Sequence, residues 1–310
     1  MEMGMVGLGR MGGNMVLRLM KRGHRLIAYD RSPDAVKEKA AQGAVPAFTV
    51  AEFVQKFQSK PRVMWVMVPA GDPTTEAITQ LIDLGDPGDI IIDGGNTNWK
   101  IAMGDAARVK AKGMHYMDAG TSGGIWGLTN GYSLMVGGEK EIYEHCLPLL
   151  KDLAPDDGGL VYTGPEGSGH FVKMVHNGVE YGLMQAYAEG FQIMKLSKAF
   201  PGMDMHAIAE AWRSGSVVRS WLLDLIARGL EQDPDLSRIK GYVEDTGEGR
   251  WTVEAAIEES VPVPIIAESL FARFRSRMEN TFGDRLLAMM RQQFGGHAVV
   301  TDAQGEAVTR

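Results

Sequence analysis

Gly4-Met5-Val6-Gly7-Leu8-Gly9-Arg10-Met11-Gly12, near the start of a 310-residue chain, decides the fold. Residues 4–8 form a short apolar run that reads as a strand, and the amphipathic period over 12–22 reads as a helix. Between them the pattern GxGxxG gives each glycine a task. Gly7 permits a tight turn, Gly9 lets a pyrophosphate approach the backbone, and Gly12 lets helix and strand pack closely. The helix N-terminus adds partial positive charge and N–H groups for phosphates. A strand-to-helix turn with no ligand is the plainer alternative.

The next strand ends at Asp30, whose carboxylate can accept hydrogen bonds from ribose hydroxyls and would repel a 2′-phosphate. That favours NAD over NADP. The neighbouring Arg31 keeps NADP in view, because a guanidinium there can pair with a phosphate. From residue 3 to about 163, short apolar runs alternate with amphipathic stretches. Strands are expected at 4–8, 26–29, 63–68, 90–93, 115–118, 133–136 and 160–162. Helices are expected near 12–22, 34–41, 50–56, 74–84, 100–112 and 139–150. This is the pattern of an α/β, Rossmann-like, doubly wound parallel sheet with helices on both faces. After Gly167 long helical periods take over, at 169–196, 205–213, 217–231 and 263–278. Two domains follow: 1–164, dinucleotide-binding, and 165–310, all-helical.

Composition narrows the function. Apolar residues at 45% and charged residues at 23% describe a globular protein. No apolar run approaches a bilayer span, and the N-terminus lacks a cationic, cleavable leader, so no membrane partner is expected. The single cysteine, Cys146, forms no internal disulfide and suits a reducing cytoplasm; it reads as a small buried hydrophobe. A net charge of −7 with no basic stripe argues against nucleic acid. No His, Cys and carboxylate set has metal-ligand spacing, so no metal is expected.

Further turns stand where a doubly wound sheet collects ligands, at the carboxyl ends of its strands. Met67-Val68-Pro69-Ala70-Gly71 and Asp93-Gly94-Gly95-Asn96-Thr97 offer small residues with room for a ribose and a nicotinamide. The expected cofactor contacts are therefore Gly7, Leu8, Gly9, Arg10, Met11, Gly12, Asp30, Arg31, Val68, Pro69, Ala70 and Asn96. Asn96 can serve cofactor and substrate alike, or simply cap the next helix, a task open to Thr97 as well. Ser122 with Gly123 and Gly124 makes a small concavity suited to a carboxylate, unless it is an ordinary Gly-rich turn.

Gly167-Ser168-Gly169-His170-Phe171-Val172-Lys173-Met174-Val175-His176-Asn177-Gly178-Val179-Glu180-Tyr181 carries the chemistry. On a helix, Lys173, His176, Asn177, Glu180 and Tyr181 fall at i, i+3, i+4, i+7 and i+8, one face. A core-packing helix would place apolar residues there. A solvated face is the bland reading, but the flanking Phe171, Val172, Met174, Val175, Val179, Leu183 and Met184 are apolar. The stripe reads instead as a substrate-facing wall with a lysine and a glutamate for proton transfer.

These strings together resemble the 6-phosphogluconate dehydrogenase family, within the broader β-hydroxyacid dehydrogenase group, over nearly the whole chain. The glycine loop and the Ser122-Gly123-Gly124 turn belong to the broad group, whereas the stretch from Gly169 to Tyr181 is close to diagnostic of the family. The chain's length is similar to that of the short, usually NAD-preferring subfamily. The resemblance implies oxidative decarboxylation of 6-phospho-D-gluconate to D-ribulose 5-phosphate and CO2 in the pentose phosphate pathway. It implies Lys173 as general base and then acid, and Glu180 as the acid that protonates C1. Asn96, Ser122, Gly123, Gly124, His176 and Asn177 would hold the sugar acid, and Tyr181 and Arg273 the phosphate. It also implies a homodimer or homotetramer in which a tail carrying Arg291 and His297 enters a neighbouring active site. Two departures stand out. Thr246 and Glu248 occupy places where the long enzymes carry a Lys and a Thr on the phosphate, so other cations, such as Arg250, must serve. The second helical repeat of the long enzymes is also missing. Two other functions remain open: an NAD(P)-dependent 3-hydroxyacid dehydrogenase acting on a non-phosphorylated sugar acid such as gluconate, and a non-catalytic NAD(H)-sensing module.

Overall fold

Eight strands form one sheet in the computed structural model, which describes residues 1–296, 298–300 and 307–308. They are β1 (Glu2–Val6), β2 (Arg25–Tyr29), β3 (Val45–Ala47), β4 (Val63–Val66), β5 (Ile90–Asp93), β6 (His115–Ser122), β7 (Ser133–Gly138) and β8 (Leu160–Gly164). Their spatial order is β3-β2-β1-β4-β5-β6-β7-β8, which reverses between β1 and β4. Helices connect them: α1 (Arg10–Lys21), α2 (Pro33–Ala41), α3 (Val50–Gln55), α4 (Asp72–Leu84), α5 (Trp99–Lys110), the one-turn α6 (Gly127–Asn130) and α7 (Lys140–Leu153).

Side chains alternate between the two faces as the pleat requires. Leu26, Ala28, Trp65, Ile90 and Ile92 pack toward Met15, Val16 and Leu19 of α1 and Leu149 and Leu150 of α7. Ile27, Met64, Val66 and Ile91 pack toward Ile78 and Leu81 of α4 and Ala102 and Val109 of α5. Both faces are covered, which is why β1, β4 and β5 read as unbroken apolar runs. Cys146 lies in this core at 0% exposure, and burial pushes its thiol up to about 12.

Two sequence expectations need correction here. The sheet is not wholly parallel, since β7 runs antiparallel to β6. A parallel partner needs a crossover of about a dozen residues or more, and the stretch from Ser122 to Ser133 is too short for one. The edge strand β3 was not expected, because Pro46 interrupts its apolar pattern; an edge is where a strand tolerates proline.

The chain divides into the compact units Met1–Gly178 and Val179–Arg310. The long helix α8 (Ser168–Lys195) begins in the first and continues in the second. The second unit also contains α9 (Met205–Arg213), α10 (Trp221–Gln232), α11 (Glu248–Glu258), α12 (Pro264–Arg275) and α13 (Phe282–Gly295). Met205, Ala209, Leu223, Ala227 and Leu230 form its small core beneath Tyr187 and Phe191 of α8. α10 starts at Trp221, later than its periodicity suggests, because the Ser220 hydroxyl accepts the Leu223 N–H at 3.1 Å and caps it. The unit is not all-helical: β9 (Val299–Val300) pairs antiparallel with β10 (Ala307–Val308). No helix among the described residues is long and apolar enough to cross a membrane.

Candidate active site

The glycine loop shows why its three glycines are needed. Gly7 holds φ +99°, and a Cβ there would sit 2.3 Å from the Met67 carbonyl oxygen. A Cβ on Gly12 would lie 2.1 Å from the Gly7 carbonyl oxygen, so helix and strand meet backbone to backbone. A Cβ on Gly9 would meet nothing within 4 Å. That open space lies at the start of α1, which has no side-chain cap and no acidic residue in its first turn. Uncapped N–H groups beside open space suit the oxygens of a pyrophosphate.

A cleft of ≈ 270 Å³ adjoins the loop, with Gly7, Gly9, Asp30, Arg31, Val68 and Pro69 in its wall. Asp30 fastens β2 to the loop by accepting the Leu8 N–H at 2.7 Å and the Ser32 N–H at 2.8 Å. The other residues expected at the cofactor are not among those lining that cleft. The Leu8 side chain is in the core, Gly12 lies beneath the turn, and Met11 packs against the core. Arg10 and Ala70 are exposed. Asn96 lies between β5 and α5, and it does not cap α5; the Asn98 side chain does, accepting the Lys100 N–H at 2.9 Å.

β6 ends at Ser122, after which Gly123 and Gly124 both take left-handed backbone angles, φ +126° and +51°. Lys173 belongs to the same unit. Its side chain leaves α8 against the backbone of Gly120, where a Cβ would stand 2.4 Å from the Lys173 Cβ. Glycine at 120 therefore lets the helix lie on β6 two residues before the Ser122 turn. Lys173 is buried, and its ammonium donates to Asn177 Oδ1. His176 Nδ1 lies 2.9 Å from the same oxygen. An amide oxygen only accepts, so the bonding pattern makes Nδ1 the protonated ring nitrogen.

Beneath these groups lies a buried trio. The Asp118 carboxylate accepts the Gly167 and His170 N–H groups, both at 2.7 Å, and so caps α8. His170 Nε2 stands 3.2 Å from Asp93 Oδ2, close enough for an ion pair although not aligned as a hydrogen bond. Asp93 also accepts the Gly95 N–H at 3.0 Å and the Tyr116 hydroxyl at 3.3 Å. All three are at most 2% exposed. Burial pushes the His170 imidazole down, but the Asp93 and Asp118 charges outweigh it and hold it above its usual value. Burial likewise pushes Asp93 up, and His170 with the Thr97 and Gly95 hydrogen bonds brings it below. At Asp118 burial wins and the carboxyl stays raised.

In the second unit, Tyr181 is the hub. The Arg273 guanidinium lies 3.5 Å from its ring centre, and its hydroxyl accepts the Thr246 N–H at 3.5 Å. A Cβ on Gly249 would press to 2.6 Å from the ring. Arg273 donates to the Glu244 carbonyl at 2.8 Å. The Thr246 hydroxyl donates to Glu248, which is 2% exposed. Glu180 lies on α8 two turns beyond Lys173, and Arg291 is exposed on α13. His297 lies outside the described residues.

The flanks of α8 correct a sequence expectation. Val172, Val179, Leu183 and Met184 are 37–49% exposed, whereas Lys173, Asn177 and Tyr181 are buried. The polar stripe faces inward and much of the apolar flank faces out.

The family model described as the NAD binding domain of 6-phosphogluconate dehydrogenase matches residues 2–164, and that of the 6-phosphogluconate dehydrogenase C-terminal domain matches 169–306. The chain belongs to the 6-phosphogluconate dehydrogenase family. A putative 6-phosphogluconate dehydrogenase of Bacillus subtilis is 42% identical over 96% of this chain and 99% of its own length. The NAD(+)-dependent, decarboxylating 6-phosphogluconate dehydrogenase of Haloferax volcanii is also 42% identical, over 96% and 98%. Among solved structures, Plasmodium falciparum 6-phosphogluconate dehydrogenase superposes with a TM-score of 0.83 at 29% identity, over 99% of this chain and 67% of that one. The 6-phosphogluconate dehydrogenase family match divides between 164 and 169, while the compact units divide after Gly178. Asp118, His170 and Gly120 tie the first turns of α8 to the sheet, which accounts for the later structural division.

Sequence reasoning passed over Asp93, Asp118 and His170. The signal was present in two acids ending otherwise apolar strand runs and a histidine lying off the stripe. The link that Asp245 makes between Arg250 and Arg277 was likewise not expected, because the sequence leaves Asp245 and Arg277 far apart.

Proposed function

We propose that this chain catalyses the NAD-dependent oxidative decarboxylation of 6-phospho-D-gluconate to D-ribulose 5-phosphate and CO2. The observation that carries this reading is the end-to-end match to a decarboxylating, NAD-dependent relative at 42% identity. The glycine loop fits the cofactor, through the open space at Gly9 and the Asp30 carboxylate in the cleft wall. NAD, bound there, supplies the hydride acceptor.

The chain's own residues manage protons and position. Lys173 takes the C3 hydroxyl proton, and the residual ammonium then donates to the ketone oxygen as CO2 departs, so the electrons of the breaking C–C bond flow into an enediol. Glu180 protonates C1 of that enediol. The burial of Lys173 excludes water from the proton it carries. Asn96, Ser122, Gly123, Gly124, His176 and Asn177 hold the sugar acid, and Tyr181 and Arg273 hold its phosphate. Among the described residues no His, Cys and carboxylate group could hold a metal ion, and protonated Lys173 can supply the electrophile itself.

The enzyme works in the cytoplasm as a homodimer or homotetramer, with Arg291 and His297 serving a neighbouring active site. The outward apolar side chains of the second unit, among them Val179, Leu183, Ile193 and Phe271, support an association that covers them. One assay tests the function: reduced-cofactor absorbance and CO2 release with 6-phosphogluconate or gluconate, each paired with NAD or NADP. Reduction without CO2, or gluconate used as well as its phosphate, would instead favour a plain 3-hydroxyacid dehydrogenase.

A further inference from the structure

Arg250 and Arg277 form a second cationic element near Tyr181, built differently from the Arg273 stack. Asp245 holds both. Arg250 Nε and Nη2 donate to the two Asp245 oxygens at 2.7 and 3.1 Å, and Arg277 Nη2 donates to Oδ2 at 2.9 Å. The Asp245 side chain is almost wholly covered, and the Arg250 hydrogen bond, with Arg277 helping against burial, keeps its carboxyl below the usual value. Phe274 lies between the guanidiniums, 4.3 Å from that of Arg250 and 5.2 Å from that of Arg277.

The arrangement leaves guanidinium donors in excess. Asp245 is the carboxylate that the forks of Arg250 and Arg277 share, Arg273 stands on the Tyr181 ring, and Glu254 adds a negative charge near Arg250. Glu248 contributes another carboxylate, but it is buried at the start of α11, where the helix terminus offsets its charge. Arg250 directs no bond from Nη1 to the described protein, and its side chain is 48% exposed. Among the described residues, Arg277 commits one of its N–H groups. A guanidinium has five donors in a rigid fork, and two forks fixed on one carboxylate and one ring lose little freedom on binding a tetrahedral oxyanion. Gly249 links this element to Tyr181, because its backbone rests on that ring beside Arg250.

We propose that Arg250 and Arg277 are specificity-determining residues that recognise the phosphate of the substrate, in place of a lysine at position 246. The inference rests on the phosphorylated substrate proposed above. Its test uses the full chain with Arg250→Gln, Arg277→Gln, their charge-keeping Arg→Lys counterparts, and Arg238→Gln as a control on an exposed ion pair. Inorganic phosphate is titrated by thermal shift, and KM is measured for 6-phosphogluconate and for NAD. Each Gln variant should weaken phosphate binding about tenfold or more, since hydrogen bonds to charged groups are individually strong. The KM for 6-phosphogluconate should rise by a similar factor, more than kcat falls, and the KM for NAD should not follow. The Lys variants should fall between. Phosphate affinity unaltered in both Gln variants would overturn the proposal. Should the unaltered chain ignore 6-phosphogluconate while phosphate binding still depends on Arg250 and Arg277, the anion site stands and the proposed reaction fails.

Discussion

The Lys173 side chain leaves α8 directly over the backbone of Gly120, with no room between them for a methyl group. The relation fixes where the amine emerges relative to the turn at Ser122. Gly120→Ala should force α8 away from β6, because the added carbon would also lie 2.7 Å from the Gly169 carbonyl oxygen. Overpacking of this kind costs about 1–3 kcal/mol. The variant should melt lower and lose turnover, and an unchanged kcat with a lowered Tm would separate packing from positioning.

Lys173→Met and Glu180→Ala should each lose about 10²–10⁴-fold in kcat, the usual contribution of a general acid or base. Fluorescence titration should show NADH still bound. Near-normal turnover in either variant would refute the role assigned to that residue.

The buried pair of His170 and Asp93 predicts a pH dependence of stability. His170 is raised above its ordinary 6.5, so its contribution is complete below that pH and is lost as pH rises through the folded value. Asp93 is lowered from 3.8, so its contribution is present above that pH and is lost as pH falls through the folded value. Asp118 is raised and works in the opposite sense, costing stability once the pH passes 3.8. His170→Gln leaves Asp93 buried without its cation, a loss of about 3–5 kcal/mol for a broken buried pair. The stability gap between parent and variant, from urea midpoints, should be widest between these two values and narrow in alkali. A gap independent of pH would mean that the pair is not charged.

Asp30→Asn keeps an acceptor for the Leu8 N–H and removes the negative charge from the cleft wall. The ratio of kcat/KM for NAD to that for NADP should fall by about tenfold, ~1.4 kcal/mol. A ratio that stays fixed would move the discrimination to another group.

Truncation before Arg291 should raise KM for the substrate about tenfold and leave more of kcat. Mixing the truncated chain with Lys173→Met should restore activity if tails are shared between subunits. An absence of rescue in mixed oligomers would sink the shared tail.

Much of the fold could be read because its signals are local. The glycine loop, the alternation of apolar runs and amphipathic stretches, and the periodicity of α8 each lie within a few turns of chain. What escaped depended on distance or on ambiguous punctuation. Asp93, Asp118 and His170 meet only because β5 and β6 pair and α8 returns across them. The antiparallel β7 follows from a short connection whose direction the apolar pattern does not encode. α11 was hidden because the run from Asp245 to Arg250 reads as a glycine-rich loop; Gly247, at φ +101°, turns the chain and the helix starts at the next residue. α13 was legible in principle, since Thr281 and Asp284 form a capping box at its start. At the site, the lysine of α8 stood out by its spacing, whereas Arg277 gained meaning only beside Asp245.

The depth of Cys146 has a practical corollary. With no other sulfhydryl in the chain, and this one held protonated out of contact with solvent, thiol-specific reagents have no sulfhydryl to attack while the protein stays folded. Peroxide should therefore leave turnover intact wherever thiol chemistry is the only hazard. A dye attached through a cysteine engineered on the outer side of α8 would report from that single place, with no need to remove the native residue first.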